Sequence, residues 1–331
     1  MKILQAFALK TVLSSYTETD IINYYCPYIE DFYNPFNNFI KGIVRTVVFG
    51  KRNKRFKKFI AKISTQTLYD KQSIRNAEYE KIVVGSDQVW NYGCSGNDET
   101  FLLPDMDVKK YSYAGSFGVS ELPENEVPFF KKHLADFRYI SVREKTGQDI
   151  CKNQLGLSSE IVLDPTLLLT KADWEKHFNV SPTAKKNYVL LFAFKHTDTL
   201  HTTAKKVSEQ LGLPVYTILV KMTEKFGDKV ISNAGPKEWV ELFFNASFII
   251  TDSFHGTAFS VNFNKPFYSF AHNARSSRLT DFLGALGLQD RLNPSLENVN
   301  TEAIIDYSSV NKILEDERQK SFAFIEKIIH D

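Results

Sequence analysis

The sequence predicts an α/β protein with two doubly wound domains that face each other across a cleft. Three observations lead to this fold class. The chain has 331 residues, which is about twice the length of an ordinary domain. Short apolar segments of strand length alternate with segments of helical periodicity in both halves of the chain. Polar or glycine-containing clusters follow the predicted strands, where ligands bind in doubly wound sheets.

The composition excludes several classes of protein. Hydrophobic residues make up 43% and charged residues 24%, which is typical of a globular chain. The formal net charge is only +2, so we expect no nucleic-acid partner. Cys26, Cys94 and Cys151 are widely spaced and form no CxxC pair, which disfavours a disulfide framework and a zinc site and favours a reducing cytoplasm. The sequence shows neither a signal peptide nor an apolar run of ~18 residues, so we expect no export and no membrane span.

The predicted first domain covers residues 1–169 and starts with a helix. Apolar residues at helical spacing run from Ile3 to Tyr16, and a short strand follows at Asp20–Tyr25. Residues 34–75 are predicted as a helical insertion that carries the basic run Lys51–Lys58. Such a run is usually a solvated helix face, and the alternative is contact with anionic lipid head groups or with a phosphorylated partner.

The next predicted strands of the first domain end in polar or glycine-containing clusters. A short amphipathic helix, Val127–Leu134, lies between them, and a final strand, Glu160–Leu169, is broken by Pro165 before the domain boundary. Because ligands bind at the carboxyl ends of parallel strands, we expect the clusters to line the cleft. The strands with their clusters are Lys81–Gly85 with Ser86–Asn91, Lys110–Tyr113 with Ala114–Gly118, and Tyr139–Val142 with Arg143 and Glu144.

The predicted second domain covers residues 170–331 and repeats the alternation of strands and helices. Its last helix is expected to pack back on the first domain. The predicted strands are Tyr188–Phe194, Pro214–Leu219, Phe248–Thr251 and Asn264–Phe270, and the predicted helices are Thr199–Leu211, Pro236–Asn245, Ser277–Leu286 and a final helix from Ile304.

The densest cluster of polar residues surrounds His255. Asp252 and Ser253 follow the apolar strand Phe248–Thr251 and are residue types that commonly start helices. His255 is therefore predicted in the first turn of a helix, where free N–H groups and the helix dipole favour anions such as phosphate. These residues alone fit an ordinary strand-to-helix turn equally well.

Five motifs, in this order, resemble those of the bacterial polysaccharide pyruvyl transferase family. The similarity runs from Ile3 to about Arg291, and it also includes the stretches 273–279 and 286–291. The motifs are Val84–Asn91, Tyr113–Gly118, Ser141–Glu144, Leu163–Leu168 and Thr251–Ala258.

The resemblance implies two Rossmann-like domains arranged as in the GT-B glycosyltransferases. It implies transfer of the enolpyruvyl unit of phosphoenolpyruvate onto two hydroxyls of one sugar, as a ketal. The implied acceptors are cell-surface glycans or their lipid-linked precursors, with the first domain on the acceptor side and the second on the donor side. Phosphoenolpyruvate is a co-substrate, and the resemblance implies no cofactor and no metal.

Two features depart from the family pattern. Family members usually open with a strand and an Asn-x-Gly turn ahead of the first helix, whereas this sequence begins two residues before that helix, so we expect the sheet to lack its first strand. Many members also carry an arginine at the position of Ser253. Another cation is then expected to hold phosphoenolpyruvate. Arg278 and Arg275, in a predicted serine-rich loop, are candidates, and the alternative is that both are ordinary exposed arginines.

Arg143 is the first candidate for binding the donor, because a planar guanidinium suits both a carboxylate and a phosphate. The alternative is a salt bridge from Arg143 to Glu144 or another acid. Ser116 lies among glycines whose backbone N–H groups suit phosphate, and a tight packing turn explains them as well.

His255 is the first candidate for catalysis, because a histidine titrates near neutral pH and can move protons or bind the departing phosphate. Ser253, Gly256 and Thr257 are expected to border the donor. Asp87 is the second catalytic candidate, as a base for an acceptor hydroxyl, and the alternative is a helix cap.

Three further residues are predicted to bind the acceptor sugar. Gln88 and Asn91 carry amides that suit hydroxyl groups, and Trp90 offers a ring to a sugar face or else belongs to the core.

The sequence therefore predicts a cytoplasmic pyruvyl transferase, peripheral at the inner face of the membrane if the basic run contacts lipid. One alternative is a nucleotide-sugar glycosyltransferase of the GT-B type, although we identify neither an acidic residue for a ribose nor a base-stacking pocket. The other alternative is a catalytically degenerate protein of glycan assembly.

Overall fold

A computed structural model describes residues 2–28, 39–96, 98–181, 187–222, 224–271 and 276–331. Within these ranges, the helices lack any apolar stretch of the length that a membrane span requires. The helices are α1 (Lys2–Leu13), α2 (Phe39–Ile63), α3 (Tyr92–Ser95), α4 (Val127–Leu134), α5 (Lys145–Asp149), α6 (Pro165–Leu168), α7 (Lys171–Phe178), α8 (Asp198–Leu211), α9 (Pro236–Asn245), α10 (Phe254–Asn262), α11 (Ser276–Ala285) and α12 (Tyr307–His330).

Every strand of the described residues pairs in parallel with its neighbour. The strands are β1 (Ile21–Tyr24), β2 (Ser64–Tyr69), β3 (Lys81–Val84), β4 (Lys109–Ser112), β5 (Phe137–Tyr139), β6 (Ser141–Val142), β7 (Glu160–Ile161), β8 (Val189–Phe192), β9 (Val215–Ile218), β10 (Lys229–Ile231), β11 (Phe248–Thr251) and β12 (Phe267–Ser269). The predicted α/β class with parallel sheets is confirmed.

Local capping residues set several helix ends. Thr170 and Asp173 form a capping box at the start of α7. Gly212 ends α8 in the left-handed conformation, at φ 62°. Pro236 occupies the first position of α9, where its missing N–H costs nothing.

The chain forms two compact units. Unit 1 comprises Met1–Asn37, Ile60–Leu168 and Glu315–Asp331, and unit 2 comprises Asn38–Phe59 and Leu169–Leu314. The helical insertion was predicted wholly within the first domain, but its segment Asn38–Phe59 belongs to unit 2. Contacts within unit 2 explain this assignment, because Arg55 pairs with Glu238 at 3.2 Å and the ring of Phe59 stacks on Phe178.

Unit 1 contains a sheet of order β3-β4-β5 and two smaller pairs, β1-β2 and β6-β7. Beyond the carboxyl ends of β3 and β4, single parallel bridges join Asp87 to Gly115, and Gly115 to Val142 of β6. The bridges hold the clusters that follow β3, β4 and β6 side by side. The core packs around Trp90, Phe130 and other apolar residues, with Tyr113 against Phe324 of α12.

Unit 2 contains one sheet of order β10-β9-β8-β11-β12. Starting from β8, the chain adds β9 and β10 on one side and then returns to add β11 and β12 on the other. This order is that of a doubly wound sheet, with its reversal between β8 and β11.

Three segments differ from the sequence prediction. The predicted helical insertion, residues 34–75, contains the strand β2 (Ser64–Tyr69), because this segment pairs in parallel with β1. The predicted strand Glu160–Leu169 is the two-residue β7 followed by α6, because the Asp164 carboxylate accepts hydrogen bonds from the N–H and hydroxyl of Thr166 and Pro165 then starts a helix. The edge strand β10 was not predicted, since three residues that are mostly exposed carry no hydrophobic pattern.

Candidate active site

The carboxyl ends of β8 and β11 meet where the strand order of unit 2 reverses, which is the preferred ligand position of such sheets. Asp252, the residue after β11, links the loop that follows β11 to the loop that follows β8. Its carboxylate accepts hydrogen bonds from the backbone N–H of Phe194 at 2.7 Å and of Lys195 at 2.8 Å. The residues predicted around His255 therefore lie at this position.

His255 lies in the first turn of α10. Ser253 is the N-cap residue in an extended conformation, and its carbonyl accepts from the N–H of Thr257 at 2.9 Å. The histidine is buried, and its ring meets that of Phe254 edge to face with centroids 5.6 Å apart. The predicted reactive group is thus held at a helix start and largely shielded from water.

Gly256 allows α10 to begin directly against β11. A Cβ atom on Gly256 would lie 2.2 Å from Oγ1 of Thr251 and 2.9 Å from its Cβ. Thr251 is itself fixed, because its hydroxyl donates to the carbonyl of Phe192 at 2.6 Å and accepts from the N–H of Ser253 at 3.1 Å. Packing therefore requires this glycine, and its contact with a donor stays a prediction.

Thr257 joins α10 to β12. Its hydroxyl lies 2.6 Å from that of Ser269 and 3.1 Å from the carbonyl of Ser253, and Thr257 is fully buried. These contacts argue against direct binding of a donor by the Thr257 hydroxyl.

Arg278 lies in α11, which confirms the predicted helix Ser277–Leu286 rather than the serine-rich loop in which the arginine was also considered. Arg278 and Phe282 are four residues apart and share one face of the helix. Phe282 contacts Phe254, with ring centroids 5.5 Å apart, so this face of α11 packs beside the start of α10. The second candidate cation, Arg275, lies outside the described residues.

Two histidines to which the sequence assigned no role meet after β8. Nδ1 of His196 lies 2.8 Å from Nε2 of His201, and the His201 ring stacks on Phe226 with centroids 3.9 Å apart. Burial lowers the pKa of both histidines. The position of His196, four residues beyond a buried strand and next to the Asp252 loop, is the signal that would have indicated it.

In unit 1, the guanidinium of Arg143 contacts three carboxylates. Nη1 donates to Asp164 at 2.9 Å, Nη2 to Asp87 at 3.3 Å and Nε to Glu144 at 3.3 Å. Burial opposes the charge of Arg143, but Glu144, Asp87 and Asp164 outweigh it and raise the pKa of Arg143. The observed arrangement is the salt-bridge alternative. A donor anion at Arg143 would have to compete with these carboxylates.

Asp164 is the most buried member of this network, with 0% of its side chain exposed. One of its oxygens accepts two hydrogen bonds from Thr166, and the other accepts from Arg143 and, at 2.7 Å, from the amide of Gln5. The Gln5 amide also donates to the hydroxyl of Ser86 at 3.2 Å. Residues far apart in sequence are thereby joined, and no local pattern signals the contact.

Asp87 is the carboxylate of the network that reaches the surface. Its side chain is 16% exposed, against 0% for Asp164 and 5% for Glu144. Its backbone has φ 70° and bridges to Gly115, which holds the residue at the carboxyl end of β3. A carboxylate oriented by a buried arginine and open to solvent can accept a proton from a substrate hydroxyl.

Ser116 is hydrogen-bonded to Glu144 in this structure. Its fully buried hydroxyl donates to the Glu144 carboxylate and accepts from the N–H of Gly118 at 3.1 Å. The N–H of Gly115 donates to the carbonyl of Ser141 at 3.0 Å. These glycine N–H groups already have partners within the fold, which argues against the predicted phosphate contact and favours the packing turn.

The amides of Gln88 and Asn91 converge on Gly118. A Cβ atom there would lie 2.0 Å from Nε2 of Gln88 and 2.6 Å from Nδ2 of Asn91, and Gly118 has φ 68°. Asn91 is partly exposed, and Gln88 is buried with its carbonyl oxygen 3.4 Å from the thiol of Cys94. Their predicted contact with sugar hydroxyls stays a prediction.

Trp90 lies in the core of unit 1. It is 2% exposed, its ring packs against Phe117 and Phe137, and its indole N–H donates to the carbonyl of Phe101 at 3.2 Å. This burial argues against the predicted contact between Trp90 and a sugar ring. The observed position is the core alternative that the sequence left open, because long-range packing is not visible in a local motif.

Parallel sheets whose polar motifs follow the strand ends define this chain as an α/β protein, and the sheet of unit 2 is of the doubly wound type. Its family follows from the sequence match: the profile of the family described as Polysaccharide pyruvyl transferase matches residues 3–274. The chain belongs to this family, and it is therefore a transferase of pyruvate onto polysaccharide.

Several solved structures are similar to this chain at low identity. UDP-GlcNAc 2-epimerase from Methanocaldococcus jannaschii is 12% identical, with 95% of this chain and 89% of that chain covered and a TM-score of 0.41. The wall teichoic acid polymerase TagF is 12% identical, with 84% of each chain covered and a TM-score of 0.40. UDP-N-acetylglucosamine 2-epimerase from Rickettsia bellii is 11% identical, with coverage of 99% and 95% and a TM-score of 0.38. No curated protein sequence shows significant similarity to this chain.

Proposed function

We propose that the protein transfers pyruvate from phosphoenolpyruvate onto two hydroxyls of a hexose, as a ketal, in a cell-surface polysaccharide or its lipid-linked precursor. The family match over residues 3–274 carries this proposal. The positions of Asp87 after β3 and of His255 after β11 support it, because both lie at strand ends where doubly wound sheets bind ligands.

The reaction requires four events. A proton adds to the methylene carbon of phosphoenolpyruvate, and the first sugar hydroxyl attacks the cationic C2. The C2–O bond to phosphate then breaks, and the second hydroxyl attacks the same carbon. Of the two hydroxyl protons lost, one balances the proton that forms the methyl group and the other leaves with phosphate or solvent, so no oxidant, reductant or cofactor is consumed.

His255 is proposed to exchange a proton with the donor or to bind the departing phosphate. Its place in the first turn of α10 supports either role, because helix N-termini favour anions and an imidazole can donate to a phosphate oxygen.

Asp87 is proposed to accept a proton from an acceptor hydroxyl. Its contact with Arg143 orients the carboxylate, and its exposure makes it the member of the buried network that substrate can reach. Gln88 and Asn91, whose amides lie beside each other at Gly118, are proposed to bind further hydroxyls.

Arg278 is proposed as the cation that replaces the family arginine at the position of Ser253. Support comes from α11, which packs beside the start of α10 through Phe282 and Phe254. Arg143 is a weaker candidate than the sequence suggested, since its three kinds of guanidinium nitrogen each donate to a carboxylate.

We place the enzyme in the cytoplasm, peripheral at the inner face of the membrane when the acceptor is lipid-linked. Its partners in this proposal are phosphoenolpyruvate and a glycan or lipid-linked oligosaccharide, without nucleic acid.

The proposal is tested by incubating the protein with phosphoenolpyruvate and a lipid-linked galactoside and measuring phosphate release. We expect release that depends on the acceptor and is lost in His255→Ala. The matched control is His330→Ala, which removes an exposed histidine near the carboxyl terminus and should keep the wild-type rate. Absence of release across a panel of acceptors, together with thermal stabilisation by a sugar nucleotide, would favour the glycosyltransferase alternative and refute the proposal.

A further inference from the structure

Helix α2 concentrates positive charge. Its 25 residues include nine lysines and arginines and no aspartate or glutamate. The whole chain carries a formal net charge of only +2, so the rest of the chain is net acidic. A local excess of positive charge of this size attracts negatively charged partners.

One side of α2 is used for packing within unit 2. Phe49 is buried, and the guanidinium of Arg52 lies 3.9 Å from its ring centroid while donating to the carbonyl of Leu219 at 3.2 Å. Arg55 pairs with Glu238 at 3.2 Å. These contacts fix which face of the helix points away from the unit.

The opposite face carries Val47, Lys51, Lys54 and Lys58, which we call the lysine face. Their spacings of four, three and four residues place them on one side of the helix. All four are exposed, and Val47 is 79% exposed. Within the described part of the chain, the three lysines form neither hydrogen bonds nor ion pairs, so their charges are not neutralised by the fold.

We propose that the lysine face docks the protein on an anionic lipid bilayer. Charge complementarity carries the proposal: three unpaired ammonium groups in a row, with an unusually exposed apolar residue at one end, match a surface of negative head groups above acyl chains. An exposed valine has no role in contact with a hydrated polyanion, which favours a bilayer over a soluble acidic polymer. The inference does not depend on the proposed transfer reaction, because binding to lipid is measured without substrate.

The expected strength follows from the number of lysines. Each lysine near an anionic surface raises the membrane partition coefficient about fivefold, so three lysines together contribute about 100-fold. The attraction should disappear in high salt, because the screening length falls from about 10 Å at 0.1 M to about 3 Å at 1 M.

The test is sedimentation of the full chain with vesicles of phosphatidylcholine that contain a quarter phosphatidylglycerol. We expect binding to these vesicles, none to pure phosphatidylcholine, and release at 1 M salt. The variant Lys51→Gln, Lys54→Gln, Lys58→Gln should bind about 100-fold more weakly. The matched control, Lys132→Gln, Lys152→Gln, Lys205→Gln, removes the same charge from exposed lysines outside α2 and should bind within a few fold of wild type.

A second measurement reports on orientation. In Val47→Trp, the added indole should shift its fluorescence to shorter wavelength when the anionic vesicles are added, because position 47 enters the head-group region. The proposal would be overturned if the lysine-face variant and the control variant lost binding equally. It would also be overturned if the wild-type protein bound a soluble acidic polysaccharide but not the vesicles. An unshifted spectrum of Val47→Trp in bound protein would overturn it as well.

Discussion

Replacing Arg143 by methionine tests the buried charge network of unit 1. Methionine has an unbranched apolar side chain that replaces the aliphatic part of arginine but carries no charge. The carboxylates of Asp87, Glu144 and Asp164 therefore lose their shared guanidinium. The wild-type contacts are 2.9, 3.3 and 3.3 Å long, and the arginine side chain is 2% exposed. Removing one partner of a buried ion pair costs about 3–5 kcal/mol.

For Arg143→Met we expect the free energy of unfolding to fall by about 4 kcal/mol, near the middle of that range, because water can reach Asp87 but not Asp164. The sign of the pH dependence follows from the charges. At neutral pH the variant buries carboxylates that no cation balances, whereas acid neutralises them by protonation. The difference in unfolding free energy between wild type and variant should therefore shrink as the pH is lowered.

Native-state hydrogen exchange in increasing urea, read by mass spectrometry, measures the free energy of unfolding of unit 1 separately from unit 2. The matched control is Arg138→Met, because Arg138 is half-exposed and pairs with Asp331 at 3.2 Å, a contact worth less than about 1 kcal/mol. A loss for Arg143→Met no larger than that of the control would show that Arg143 does not stabilise the buried carboxylates, as would a difference that does not change with pH. A stable variant with weakened binding of phosphoenolpyruvate would instead restore the predicted donor-binding role.

Two further predictions concern unit 2. Gly256→Ala should lower the free energy of unfolding in urea by about 2–3 kcal/mol, because the new Cβ would overlap the fixed side chain of Thr251. The control Gly284→Ala lies in a helix with its nearest contact at 3.8 Å, so it should be neutral or slightly stabilising. Equal effects of the two substitutions would contradict this packing. Because burial lowers the pKa of His196 and His201, unit 2 should keep its full stability above about pH 6.5 and lose stability as the pH falls through the lowered values. The variant His196→Gln, His201→Gln should have a flatter pH profile, and a wild-type unit 2 that gains stability in acid would contradict the assignment.

Local sequence patterns predicted much of the fold. The alternation of apolar strands with amphipathic helices indicated parallel α/β sheets, and the predicted helices Val127–Leu134 and Pro236–Asn245 have the observed bounds. These patterns succeed because each depends on residues within one or two turns of each other. The strand-to-helix turn at His255 was predicted for the same reason.

The pairing of distant residues could not be predicted. Gln5 and Asp164 are 159 positions apart and form a hydrogen bond of 2.7 Å, and neither residue belongs to a periodic pattern that indicates the contact. The surroundings of Arg143 and Trp90 also depend on tertiary packing. Local motifs placed both residues near strand ends, but they could not decide between ligand contact and the observed positions. Arg143 forms salt bridges with three carboxylates, and Trp90 lies in the core. The segment Glu160–Leu169 was misassigned because hydrogen bonds from Thr166 outweigh its apolar strand pattern.

In the proposed reaction, the protein forms a ketal from phosphoenolpyruvate. Nuclear magnetic resonance of a reaction in D2O, with phosphoenolpyruvate labelled by carbon-13 at C2 and a lipid-linked hexose acceptor, tests this claim most directly. If the protein catalyses this reaction, the label moves from a vinyl carbon to a saturated carbon bonded to two sugar oxygens, beside a methyl group that carries one deuterium. A label that stays in unreacted phosphoenolpyruvate, or that appears in a vinyl ether to a single oxygen, would contradict it.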